Sequence, residues 1–154
     1  MKKIIAVVLL GMSLILSSCG ANSHVDGNIN GLWRATLSSA GTNTFVFMTN
    51  LTVNADGSLG TSSFSFTVNN TPCTFPTPTT TESGSFTITG NFSGQVSGAF
   101  QYIIMSTGAE SNTLTLNGKV NGGQITGTWS VMGATANCTG TGTFTMNPVL
   151  APAM

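Results

Sequence analysis

Residues 118–146, GKVNGGQITGTWSVMGATANCTGTGTFTM, decide the fold class of this chain. Val120, Ile125, Trp129, Val131, Phe144 and Met146 supply apolar side chains to two period-two runs, while Thr, Ser and Gly fill most of the places between. A period of two turns one face toward a core and the other toward solvent, which predicts β-strands. The inward set of the first run is Ile125, Gly127, Trp129 and Val131. That of the second is Cys138, Gly140, Gly142, Phe144 and Met146.

The same alternation recurs upstream. Strands are predicted over 31–38 (Trp33, Ala35 and Leu37 inward, Arg34 outward), 44–54, 59–68 (Phe64, Phe66 and Val68 inward) and 84–89 (Phe86 and Ile88 inward). Two more follow over 92–105, along Phe92, Val96, Phe100, Tyr102 and Ile104, and over 112–120, along Leu114, Leu116 and Val120. In 44–54, Phe45 and Phe47 alternate with Val46 and Met48 before Leu51 and Val53 restore one apolar face, which predicts a bulge or partial cover around Asn50. The run NADG at 54–57 and Asn121, Gly122 and Gly123 have the chemistry of hairpin turns. Gly94, Gly98 and Gly118 fall in the inward phase, as expected of a strongly coiled sheet. Eight strands with mostly short connections predict an all-β domain, an eight-stranded antiparallel up-and-down barrel or a strongly coiled barrel-like meander, with a β-sandwich as the alternative.

The first residues carry a different signal. Lys2 and Lys3 precede an apolar run over 4–16, and Ser17, Ser18 and Cys19 follow. A basic start, a short apolar segment and small residues form a secretion signal too short for a comfortable membrane span. The ending LSSC at 16–19 resembles the lipobox of bacterial lipoproteins. That resemblance implies cleavage before Cys19, acylation of Cys19 and attachment to membrane lipid, with Gly20 favouring the outer membrane on its periplasmic or surface-exposed side. The organisation predicted is a signal peptide over 1–18, a lipid-anchored polar linker over 19–30, one all-β domain over 31–147 and a flexible tail over 148–154. The opening NGLW at 30–33 resembles the Gly-x-Trp start of lipocalin-like small barrels, in which the Trp closes the barrel base. The last strand has no arginine to stack on it, as lipocalins usually do.

Composition narrows function further. Charged residues make up 5% of the chain, against roughly 25% in an average domain. After cleavage only Arg34 and Lys119 oppose Asp26, Asp56, Glu82 and Glu110. With no basic patch to neutralise phosphates, nucleic acid is not an expected partner. No metal site or cofactor is predicted either: His24 is the one histidine, with Asp26 nearby but no ligand cluster around it. That histidine lies in the linker, so a nucleophilic triad lacks its base, and the four acids are too scattered to form a facing pair. Tyr102 and Arg34 would hold an anionic or aromatic group only if the fold brought them together. The chain is therefore predicted to be no enzyme.

Between 69 and 83 the periodicity stops. NNTPCTFPTPTTTES contains Pro72, Pro76 and Pro78, which remove backbone donors and disfavour a central strand. An aperiodic segment of this length often carries binding or covers an opening, so Asn69, Pro72, Phe75, Pro76 and Glu82 are the candidate binding or lid residues. Once Cys19 is lipidated, Cys73 and Cys138 remain in a compartment where disulfides form. Successive connections of an up-and-down meander alternate between its ends, so the loops after strands three and seven share one end, and a Cys73–Cys138 bridge is expected there. The expected role is structural or adhesive, through an uncharged surface meeting a glycan or an envelope protein. The alternatives are a barrel for a small apolar ligand and an accessory subunit of an envelope complex.

Overall fold

The computed structural model describes residues 29–150 apart from 77–78, 93–94 and 108–110. Eight strands follow one another: β1 (Gly31–Ser39), β2 (Thr42–Val53), β3 (Leu59–Asn69), β4 (Thr80–Phe92), β5 (Gln95–Ser106), β6 (Thr113–Asn121), β7 (Gln124–Met132) and β8 (Thr139–Pro148). They form one sheet in the order β3-β2-β1-β8-β7-β6-β5-β4. Each neighbouring pair is antiparallel. Pairing of β1 with β8 joins the first and last strands inside the sheet, which makes β3 and β4 its two edges. The sheet coils until these edges meet at one place, where Ser58 bridges Ser85 and the Phe86 N–H donates to the Gly57 carbonyl at 2.8 Å. The result is a nearly closed barrel built from a single sheet, not a two-sheet sandwich.

The apolar phase of every strand supplies the interior. Trp33, Ala35, Leu37, Phe45, Phe47, Phe100, Tyr102, Leu114, Leu116, Ile125, Trp129, Phe144 and Met146 are buried in one cluster. Their rings meet between strands that are not neighbours in the sheet: Phe45 meets Trp129 edge-on at 5.5 Å, Phe47 stacks on Tyr102 at 6.1 Å, and Phe100 lies 6.4 Å from Phe144. Aromatic pairs at such separations add to the free energy of burial itself. A membrane-spanning barrel turns its apolar phase outward into lipid. This one turns it inward.

The inward glycines make room for those rings. Trp129 of β7 lies across β8, where Gly142 is its register partner, and its indole N–H reaches the Ser38 carbonyl of β1 at 3.2 Å. A Cβ on Gly142 would collide with that carbonyl oxygen and stand 2.7 Å from the indole nitrogen. Gly98 and Gly118 make similar room for Phe86 and Phe144. At the opposite end of β1 the Trp33 indole N–H donates to the Ile29 carbonyl at 2.8 Å, tying down the chain that enters the barrel.

Several boundaries and faces differ from the sequence reading. The bulge expected near Asn50 is present, since the β2–β3 register shifts between Thr49 and Leu51. A second shift between Val46 and Phe47 pairs Val68 with Val46 on the outer face, so Val68 does not follow Phe64 and Phe66 inward. Strand β4 starts at Thr80 and runs to Phe92, with a register shift between Ile88 and Gly90, so Gly90 and Asn91 lie inside the ladder and Phe92 pairs with Gln95. Ile88 keeps the inward phase but is 54% exposed, because β4 continues past its bridge to β3 and loses its cover. The domain also reaches beyond 31–147. Ile29 is 1% exposed, Asn30 accepts the Val53 N–H at 2.7 Å, Pro148 ends β8, and the Val149 N–H donates to Leu32 at 2.8 Å. The signal segment, Cys19, His24, Asp26, Pro78, Gly94, Glu110 and residues 151–154 lie outside the described residues.

Candidate functional site

Alternation of the hairpins sends the connections β1–β2, β3–β4, β5–β6 and β7–β8 to one end of the barrel. The chain enters β1 at the other end. At the first end the Pro-rich connection crosses the mouth as a strap and is held at several points. Cys73 forms a disulfide with Cys138, their Cα atoms 4.8 Å apart. Asn112, fully buried, donates its side-chain N–H to the Thr74 carbonyl at 2.8 Å. The Thr107 backbone N–H donates to the Thr79 carbonyl at 2.7 Å. Asn69 orders the start of the strap, donating to the Cys73 carbonyl at 2.7 Å and accepting the Thr71 hydroxyl at 2.8 Å. Pro72 is exposed, and the Pro76 carbonyl accepts the Thr79 and Thr80 hydroxyls at 3.0 and 2.9 Å. Phe75 carries the strap onto the core, 5.3 Å from Phe66 and 6.4 Å from Phe45.

Beneath the strap, β3 and β4 do not pair above the Ser58–Ser85 bridge, and this opens a seam in the barrel wall. Three inward side chains there are only partly buried: Phe64, Phe66 and Glu82. Glu82 therefore belongs to a strand and not to the loop. It shares the inward phase of Gly84 and Phe86, so its carboxylate faces the interior, where Tyr102 donates its hydroxyl to Oε2 at 2.7 Å. The Tyr102 oxygen also lies 2.8 Å from the hydroxyl of fully buried Thr49. Because the phenol proton goes to the carboxylate, Thr49 is the donor of that second bond. Arg34 does not join this group: it is exposed on the outer face of β1, while Tyr102 is fully buried inside.

Burial pushes the Tyr102 phenol well above its ordinary value, the negative charge of Glu82 adds to that, and the Thr49 hydrogen bond opposes it. The folded protein consequently holds the phenol proton at a pH where the unfolded chain, titrating near pH 10, releases it. The unfolded state then binds fewer protons, so stability is complete below about pH 10 and falls above it. Tyr102→Phe should abolish this alkaline loss. It should also cost about 1–3 kcal/mol at neutral pH, because Thr49 and Glu82 are left without their partner. Urea unfolding of both proteins from pH 7 to 11 checks the sign and the size.

The outer face has a different chemistry. Across β1, β8, β7 and β6 the register aligns Thr36, Thr145, Thr126 and Lys119 in one row and Ser38, Thr143, Thr128 and Asn117 in the next. Neighbouring strands lie about 4.8 Å apart and successive outward residues about 6.7 Å apart, so these side chains form a lattice of hydroxyls and amides. Amide pairs knit it between strands: Gln101 donates to Asn117 at 3.0 Å and Gln124 to Asn147 at 2.9 Å. Open grooves over β6, β7 and β8 are lined by Asn117, Thr128 and Thr143 of the second row and by Thr115, Ser130 and Thr141 of the row beyond it. The side chains lining these two grooves carry no charge, while Lys119 in the first row and Arg34 on β1 are cations of the same outer face.

No metal-binding group of three or more His, Cys, Asp and Glu side chains occurs among the described residues. The sequence reading located the strap and its disulfide but did not join Glu82 to Tyr102 and Thr49, although Glu82 is in phase with Phe86. No family model, curated protein or solved structure matches the chain.

Proposed function

We propose that this protein is a non-catalytic cell-envelope lipoprotein, anchored through acylated Cys19, that acts as a structural or adhesive element through the hydroxyl- and amide-rich, sparsely charged outer surface of its β-domain. The observation that carries this reading is the hydroxyl and amide lattice of β6, β7, β8 and β1, set outside an interior filled by the chain's own aromatic rings. A surface of this kind meets hydroxyl-rich partners by many weak hydrogen bonds, each contributing only about 1 kcal/mol net, so retention depends on contact over several rows. The proposed contact is with an envelope glycan. The chain enters the barrel at the end opposite the strap, so a tether there leaves the sides and the strap facing away from the lipid. The basic start, the short apolar run and the LSSC ending support the tether, and the outer membrane is its proposed location.

Two substitutions test the two halves of the reading. Cys19→Ser should release soluble protein or leave uncleaved precursor, because stable attachment needs more than one acyl chain and the variant has nowhere to receive them. Fractionation with mass spectrometry of the membrane pellet reads this out, and a triacylated, membrane-bound Cys19→Ser protein would refute the anchor. Thr128→Glu combined with Thr143→Glu places like charges on facing exposed residues of β7 and β8. The folded double variant should no longer co-sediment with purified cell-wall glycan. Undiminished retention would remove the lattice as the contact surface.

A further inference from the structure

We infer that the seam between β3 and β4 binds an organic ammonium: the Glu82 carboxylate receives the charged nitrogen, and Phe64, Phe66 and Phe75 receive the carbon skeleton. The inference rests on the seam alone and stands whether or not the outer face is adhesive.

Charge accounts for the first half. Glu82 points inward and is partly buried, yet its one hydrogen-bond partner among the described residues is the neutral Tyr102 phenol. The cations that the described chain holds, Arg34 and Lys119, lie on the outer faces of β1 and β6. A partly buried carboxylate beside the Tyr102 phenol loses part of its hydration, and a cation with N–H donors restores what was lost. Tyr102, steadied by Thr49, occupies Oε2 and fixes the group, and no side chain among the described residues donates to Oε1. An anion would be repelled here, and an uncharged ligand would leave the carboxylate without a counter-charge.

The rings account for the second half. Phe64 and Phe66 stand 4.8 Å apart and Phe66 and Phe75 5.3 Å apart, all partly exposed although all pack on the core. Aromatic faces attract cations and cover alkyl carbon at once. Phe75 belongs to the strap that the Cys73–Cys138 bridge holds over the barrel mouth, so this wall is in place before a ligand arrives.

Calorimetric titration of the full chain in non-ionic detergent, with benzylammonium chloride and with uncharged benzyl alcohol as probes, tests the proposal. Benzylammonium is expected to saturate and to bind at least about tenfold more tightly than benzyl alcohol, the scale of one charge-assisted contact. Glu82→Gln should erase that difference while the two probes converge. Equal affinities in the unaltered protein, absence of saturation, or unchanged benzylammonium binding to a folded Glu82→Gln protein would each overturn it. Since the unaltered protein already compares charged with uncharged probe, a misfolded variant does not leave the question open. Glycerophosphoethanolamine separates the sources of the ammonium: binding comparable with benzylammonium assigns a lipid headgroup, and binding of benzylammonium alone assigns a free amine.

Discussion

Trp129→Ala is expected to lower the stability of the domain by about 3–5 kcal/mol, the usual cost of truncating a large buried aromatic side chain. Trp129 is 3% exposed, meets Phe45 edge-on at 5.5 Å, and spends its indole N–H on the Ser38 carbonyl two strands away. The cavity left by the substitution has little means of closing. Its floor is Gly140 and Gly142, which carry no side chains to move in, and its sides are strands held in register by β7, β8 and β1. The Ser38 carbonyl also loses a donor at a partly buried position. A marginal domain has about 5–15 kcal/mol in hand, so the variant should unfold at much lower denaturant or fail to accumulate. Chemical denaturation measures the difference. A loss below about 1 kcal/mol would mean that the indole does not fill this space.

Removing the disulfide should have the second-largest effect. Cys73 and Cys138 are separated by 65 residues, and closing a loop of that size in the unfolded chain corresponds to about 4 kcal/mol at 25 °C on chain-entropy grounds. The double substitution Cys73→Ala with Cys138→Ala therefore brings a loss approaching that figure. It acts through the unfolded state, so the barrel itself should persist in mild conditions. The strap is where the folded state changes. With the bridge gone, Phe75 and the Asn112 bond to Thr74 hold its middle, and amide exchange should accelerate around 71–76 before it does in the strands. Denaturation curves of the oxidised, reduced and double-Ala proteins separate these contributions. Exchange that stays uniform between the strap and β6 would show that the bridge is not what pins it.

What the sequence determined by itself is the set of strands, their faces apart from that of Val68, and their hairpin order. These follow from local rules: a period of two assigns each side chain to a side, and Gly57, Gly122 and Gly123 have the positive φ that their turns require. Even the bulge at Asn50 was legible, because a two-sided apolar run has to be broken before it returns to one face. Hairpin order in turn placed the loops of Cys73 and Cys138 at one end, from which their pairing follows. Tertiary structure decided where the sheet closes. No local rule distinguishes a neighbour that is hydrogen-bonded from one that only approaches, so the pairing of β1 with β8 and the parting of β3 from β4 emerge from how far the sheet coils. That geometry has three consequences which alternation alone does not specify. Ile88 keeps the inward phase yet stands in solvent, because β4 outruns its cover. Gly142 is required by an indole from the next strand and a carbonyl from β1. Glu82, in phase with Phe86 on the open edge of β4, meets Tyr102 of the neighbouring β5, whose hydroxyl reaches Thr49 of β2, since the seam admits a carboxylate that a closed wall would have had to pair or exclude.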